Sequence, residues 1–306
     1  MPEIVAWLRI ARLQFYPMTF IAYSIGSAAA HKKYGDWNLS SYLIGYLVMF
    51  FIELATVLTN EYFDYRTDRI NKNAGLFTGG SRVLVEGLIT LETARKAIFM
   101  LLLLIVPAVY LLISTAPALP AAGIILIVFA GLLLGLGYTA PPVKLTYRGF
   151  GEIDVGITHS PYIILCGFFF QSGRLADPLP YLLSIPLFFA VISSIILAGV
   201  PDYVADKTVN KKTLPVIFGP KAASYFALAS LLLSAAGLIL LRKKNILPAW
   251  TLFLFPLLLL HAGKFSYEIL EFIHSRNYDR KIDTILKLGL SYIIWFGAIP
   301  LLSLII

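Results

Sequence analysis

"AIFMLLLLIVPAVYLLIST", residues 97–115, contains no charged side chain, and a helix drawn through it has no polar stripe. A helix facing a soluble core would alternate apolar and polar positions with a period of 3.6. A stretch apolar all round, and close to the ~20 residues that cross a bilayer, reads instead as a membrane span. Comparable stretches lie at 14–30, 41–60, 119–138, 154–170, 181–200, 221–241, 247–263 and 284–305, giving nine in all. Together with 58% hydrophobic residues among 306 and a mean hydropathy of +0.80, they predict an all-α integral membrane protein forming one domain over 1–306.

The N-terminal "MPEIVAWLRIARLQFY" carries Arg9 and Arg12 and no small-residue cleavage site, so the first span is expected to remain in the mature chain. The single cysteine, Cys166, lies in the fifth span and reads as packing, which excludes an internal disulfide or a cysteine-based metal site. Net charge is +8. With the N-terminus inside, 19 of the 25 Lys and Arg residues fall on cytoplasmic segments. That bias predicts a cell-membrane protein with N-terminus and site cytoplasmic and C-terminus outside. It also accounts for the positive charge without nucleic-acid binding.

Acidic residues are equally uneven. "NEYFDYRTD" (60–68) holds Asn60, Asp64 and Asp68 at four-residue spacing where the second span ends, and Asp202 and Asp206 repeat the pair 138 residues later, after the sixth. A basic residue follows each second aspartate, Arg69 and Lys207. This offset predicts a duplicated four-helix unit, with halves at about 1–150 and 151–283 and a last helix at 284–305, bringing both pairs to one central cavity. Residues i and i+4 share a helical face, so each pair sets two carboxylates side by side, and their repulsion calls for a hard cation. Magnesium fits, because it takes oxygen ligands and shares its shell between carboxylates, water and substrate phosphates. Asn60, Asp64, Asp68, Asp202 and Asp206 are thus the candidate metal ligands, with two ions per site and a diphosphate between them. Arg66, Arg69, Lys72, Lys144 and Lys207 are the nearby candidate cations for the phosphate oxygens. A third pair, Asp279 and Asp283 in "NYDRKID", sits among alternating charges and reads as a solvated face.

In "GYTAPPVKLTYRGFGEID", Pro141 and Pro142 stop a helix just after Tyr138 and leave Lys144 close by. Tyr138 is either an interfacial anchor or a site residue on this evidence. Glu53, seven residues before Asn60 and inside the second span, reads as lining the cavity, since an ionisable group at that depth is expensive elsewhere. The four histidines show no ligand spacing, though His159 can face the cavity.

Over essentially its whole length the chain resembles the UbiA superfamily of membrane-embedded prenyltransferases. The resemblance is carried by "NEYFDYRTD", "PDYVADKTVNKKTLPV" and "YTAPPVKLTYRGFGE"; "GGSRVLVEGLIT" adds a likeness to the menaquinone-biosynthesis (MenA-like) branch. It implies nine transmembrane helices, a tyrosine and a lysine (here Tyr138 and Lys144) that help hold the diphosphate, and a lateral opening to lipid for the prenyl tail. It further implies magnesium-assisted ionisation of an allylic polyprenyl diphosphate and capture of the carbocation by an aromatic acceptor, 1,4-dihydroxy-2-naphthoate leading. The same scaffold serves 4-hydroxybenzoate, geranylgeranylglyceryl phosphate, haem or a chlorin. Tyr16, Tyr138 and Phe168–Phe170 are aromatic candidates for shielding such a cation. One departure is "LAGVPD": Ala198 and Gly199 stand where the family often has Asn or Asp, so the second motif is expected to offer one ligand fewer. The rival class, a secondary transporter, also predicts repeats and the interrupting Pro107, Pro186 and Pro256. It places its ion site at mid-membrane, whereas these acids lie at span ends.

Overall fold

The computed structural model describes residues 3–35, 37–116, 118–278 and 280–306. All regular structure among them is helical. A short helix α1 (Glu3–Ala11) precedes α2 (Tyr16–Tyr34), α3 (Leu39–Ile70), α4 (Leu91–Thr115) and α5 (Ala121–Gly137). There follow α6 (Gly151–Ser172), α7 (Leu179–Thr208), α8 (Pro220–Lys243), α9 (Ala249–Ser275) and α10 (Asp283–Ile305).

Each apolar stretch read from the sequence falls on one of α2–α10. Seven helices, α3, α4 and α6–α10, are long and apolar enough to cross a membrane by themselves. Helix α5 has 17 residues, and α2 carries Ser24, Ser27, His31, Lys32 and Lys33, so neither reaches that measure. Helix α4 shows why these are membrane helices: it buries little against the protein and leaves Phe99, Met100, Leu103, Leu104, Val106 and Tyr110 exposed. Water would penalise such a surface, and hydrocarbon accepts it.

Without a hydrophobic drive between helices in lipid, association rests on close packing, which small residues permit. The α2–α6 pair depends on this. A Cβ at Gly26 would overlap the Ile164 carbonyl, and one at Gly167 the Tyr23 carbonyl. Ser27 Oγ donates to the Gly167 carbonyl at 3.2 Å across the same contact. Phe168, Phe169 and Phe170, read above as candidates for shielding a cation, are wholly buried in this packing, with Phe169 lying against Gly123 of α5. Tyr16 is buried too, its ring against Phe50 at 5.2 Å.

Two helices are interrupted where they meet the central cavity. Helix α6 widens to a π-turn at Thr158–Tyr162, where Pro161 removes a backbone donor. Helix α7 breaks at Val200–Asp202, around Pro201, before resuming at Tyr203. Helix α3 runs unbroken for 32 residues.

Candidate active site

One face of α3 provides a wall. Met49, Ile52, Glu53, Thr56, Asn60, Asp64 and Asp68 all border a cavity of about 350 Å³. Asp202 and Asp206 border it from the opposite side, at the break and the resumed turn of α7. The two acidic pairs, distant in sequence, thus share one mouth. Below them the lining turns apolar, through Met18, Val57, Ile163, Val191, Leu290 and Ile293.

Lys211 occupies the space between the pairs. Its Nζ lies 2.9 Å from Asp64 Oδ1 and 3.6 Å from Asp206 Oδ1, and the side chain is 8% exposed. The contact to Asp64 is a close ion pair. Burial alone would lower the Lys211 pKa; the charges of Asp64 and Asp206 outweigh it and raise the value above the ordinary lysine range. The chain reverses after α7 to reach this point: Asn210 adopts φ 59° and Lys211 N–H bonds the Asp206 carbonyl at 3.0 Å.

A glycine-bearing loop closes the mouth from the α3 side. Asn71 Nδ2 donates to Asp202 Oδ1 at 2.7 Å, and the Gly79 N–H donates to Asp202 Oδ2 at 3.3 Å. Asn71 thereby supplies a polar partner to the second motif, where Ala198 and Gly199 supply none. Gly80, at φ +68°, passes so close to the Asp68 carboxylate that a Cβ would collide with it. Glu61 is held by the Ser81 N–H and hydroxyl, each at 2.7 Å, with Arg12 4.0 Å away. Arg82 donates to the Asp68 carbonyl, and Asp283 accepts the Leu76 N–H at 2.9 Å. Asp283 is therefore a loop anchor rather than the solvated face expected of it; its partner in that motif, Asp279, lies outside the described residues.

The other expected residues divide by placement. Asn60 accepts from Thr139 Oγ1 at 2.7 Å, and Tyr138 lines the cavity. Arg66, Arg69, Lys72 and Lys207 are exposed and outside the lining; Lys207 turns back to Tyr203 at 3.4 Å. Lys144 is half-buried over the Tyr147 ring at 4.8 Å, also outside the lining. Among the described residues, the Lys and Arg side chains that line the cavity are Arg12 and Lys211, which spacing did not single out. Glu152, Asp154 and His159 complete the α6 wall.

These features agree with what known proteins show. Residues 19–270 match the UbiA prenyltransferase family. The chain belongs to that family. It is a multi-pass membrane protein. One relative, the 1,4-dihydroxy-2-naphthoate octaprenyltransferase of Bacillus subtilis, is 28% identical over 192 residues, 61% of this chain and 59% of the relative. Another, the digeranylgeranylglyceryl phosphate synthase of Methanobrevibacter smithii, is 26% identical over 199 residues, 63% and 64% of the two chains. The chain thus matches less than two thirds of either relative's length. A UbiA homolog from Archaeoglobus fulgidus, solved with GPP and Mg2+, superposes with a TM-score of 0.61 over 97% of this chain and 100% of that one; at 18% identity the likeness is one of fold.

Proposed function

We propose that this chain is a magnesium-dependent membrane prenyltransferase. It transfers a prenyl group from an allylic polyprenyl diphosphate to an aromatic acceptor, with 1,4-dihydroxy-2-naphthoate the leading one, as in a menaquinone-type pathway. The observation that carries this reading is the meeting of Asp64 and Asp68 with Asp202 and Asp206 at the mouth of a cavity that is apolar below.

The donor set suits the metal. Among the described residues no three His, Cys, Asp or Glu side chains form a self-sufficient nest. Magnesium does not need one, because it keeps waters and accepts phosphate oxygens beside one or two carboxylates. Asn60, Asp64 and Asp68 on α3 and Asp202 and Asp206 on α7 would hold it, one ion to each motif. When bound, the metal neutralises charge on the departing diphosphate.

Lys211 and Arg12 face the same mouth and meet phosphate oxygens, and Tyr138 donates its phenolic hydrogen there. Arg66, Arg69, Lys72, Lys144 and Lys207 lie outside the lining and draw the anionic substrate inward. The apolar walls exclude the water that would otherwise quench an allylic cation. The prenyl tail runs toward lipid through a side opening in a bundle of nine crossings, arranged around the cavity as a duplicated four-helix unit plus one helix, with the acidic mouth on the cytoplasmic face.

A second acceptor class, a glycerol-phosphate lipid, is supported by the two relatives named digeranylgeranylglyceryl phosphate synthase, from Methanobrevibacter smithii and Methanococcoides burtonii. The test is diphosphate release from geranylgeranyl diphosphate by the purified protein in magnesium, against dihydroxynaphthoate, hydroxybenzoate and geranylgeranylglyceryl phosphate. Acceptor-dependent release that Asp64→Ala abolishes supports the reading and names the acceptor. Folded protein that releases none with any acceptor refutes it.

A further inference from the structure

Two helical turns from Asn60, the cavity wall carries a carboxylate that no cation neutralises among the described residues. Glu53 lies on the cavity face of α3, seven residues before Asn60 and so about 10 Å further along the axis. Its Oε1 accepts a hydrogen bond from Thr19 Oγ1 of α2 at 2.9 Å. Its Oε2 is shielded from solvent and has no hydrogen-bond partner among the described residues. An ionisable group at such depth is costly and calls for a partner. A carboxylate with one bond made has further lone pairs to offer, and a side-chain rotation that uncovers Oε2 gives the cavity an acceptor for an incoming donor. Around it Met18, Met49, Ile52 and Val57 line the cavity, and the phenols of Tyr16, which has no hydrogen-bond partner among the described residues, and Tyr46 lie near enough to feel its charge. The matching group is a hydroxyl carried on an apolar body; a carboxylate on the same ligand must point away from Glu53, toward Arg12 and Lys211 at the mouth.

The position also suits the reaction. With the diphosphate gripped at Asp64 and Asp202, the reacting carbon lies below it, between that mouth and Glu53. We infer that Glu53 binds the hydroxyl of the prenyl acceptor and takes its proton during alkylation, an assignment resting on the prenyl-transfer reading above. In this step the C1–O bond of the prenyl diphosphate breaks and its electron pair leaves with diphosphate. An acceptor ring carbon bonds to C1. The hydroxyl becomes a carbonyl, and its proton passes to Glu53. Thr19 holds Oε1 and leaves Oε2 for the substrate. On the facing wall His159 Nδ1 is engaged with the Val155 carbonyl at 3.1 Å, while Asp154 has a free oxygen and serves as the comparison residue.

The experiment compares wild type, Glu53→Gln, Glu53→Asp and Asp154→Asn. Geranylgeranyl diphosphate binding in magnesium is measured first, then acceptor-dependent diphosphate release with dihydroxynaphthoate and with its di-O-methyl ether, in which neither hydroxyl can give up a proton. Glu53→Gln is expected to bind the prenyl diphosphate as wild type does and to lose about 10²- to 10⁴-fold in kcat. Glu53→Asp should recover part of that loss. Methylating the hydroxyls should cost wild type a comparable factor and cost Glu53→Gln little more, the non-additivity expected of two groups in contact. Unchanged kcat/KM in Glu53→Gln overturns the assignment, as does loss in Asp154→Asn alone. A wild type that turns over the ether as fast as the hydroxyl overturns it without any variant. Wild type that binds prenyl diphosphate yet never releases diphosphate refutes the prenyl-transfer reading itself, and this assignment falls with it.

Discussion

Lys211→Met is the substitution whose cost follows most directly from the structure. The ammonium is buried between Asp64 at 2.9 Å and Asp206 at 3.6 Å, with Asp68 and Asp202 on the same cavity rim. Methionine keeps most of the volume and removes the charge, leaving carboxylates that repel one another. Losing one partner of a buried ion pair costs about 3–5 kcal/mol. For 306 residues, a specific unfolding entropy near 2.1 cal/mol/K per residue converts this to a fall in Tm of about 5–8 °C. The assay is thermal unfolding of the detergent-solubilised protein in EDTA and again in excess magnesium, where a divalent ion restores part of the lost neutralisation and narrows the gap. The pH dependence has a definite sign. The folded pKa of Lys211 lies above its unfolded value of 10.5, so its contribution is fully present below that unfolded value and is lost as pH rises through the folded one. The wild-type minus variant difference should therefore not narrow from pH 7 to 9, and carboxylates that the variant leaves protonated can only widen it as they ionise. A Tm change under about 1 °C in EDTA, or a gap that closes across that pH range, would refute the reasoning.

Gly80→Ala must fit a Cβ against the Asp68 carboxylate at φ +68°; magnesium-dependent prenyl diphosphate binding, followed by calorimetry, should weaken at least tenfold while the helical circular dichroism persists. Gly26→Ala and Gly167→Ala force a methyl against backbone carbonyls across α2–α6, and overpacking of this kind costs about 1–3 kcal/mol or more. Gly263→Ala, with open space on α9, should instead raise Tm slightly by helix propensity; equal Tm values for all three would contradict the packing account. Arg66→Ala and Lys207→Ala, at exposed sites outside the lining, should leave kcat within about twofold at high salt and slow substrate capture only at low salt. A hundredfold loss in either at both ionic strengths would place that side chain on the substrate.

Some of this was legible because local rules decide it. The nine apolar stretches stand out because a bilayer leaves the backbone few alternatives to a helix. The acidic pairs stand out because four-residue spacing fixes a common face. The cations were harder to assign by proximity in sequence. Arg66 is two residues from Asp64 and Arg69 one from Asp68, so helical geometry turns both away from the carboxylates that drew attention to them. Lys207, next to Asp206, is turned away for the same reason. Lys211 arrives only after the chain reverses at Asn210, and Arg12 comes from before α2. No period connects either to the acids. Phe168–Phe170 look available as a cavity lining, but all three are buried between helices, Phe169 against Gly123 and Phe170 against Gly45.

Helix α3 explains why the molecule can join two solvents in one site. Its cavity face runs Glu53, Asn60, Asp64, Asp68, a rise of about 22 Å over the 15 residues at 1.5 Å each. A diphosphate with its metal needs oxygen ligands and counter-charge, and these are available only where α3 extends past the apolar part of the bundle, near loops that can deliver Asn71, Gly79 and Lys211. The prenyl chain of the proposed reaction needs the opposite, and further down the same face the lining is Ile52, Met49 and neighbouring apolar side chains. A break in α3 would uncouple the two levels. Its continuity over 32 residues, beside an interrupted α6 and α7, fixes the distance between charged mouth and buried Glu53, so the interrupted helices shape the walls and α3 sets the register.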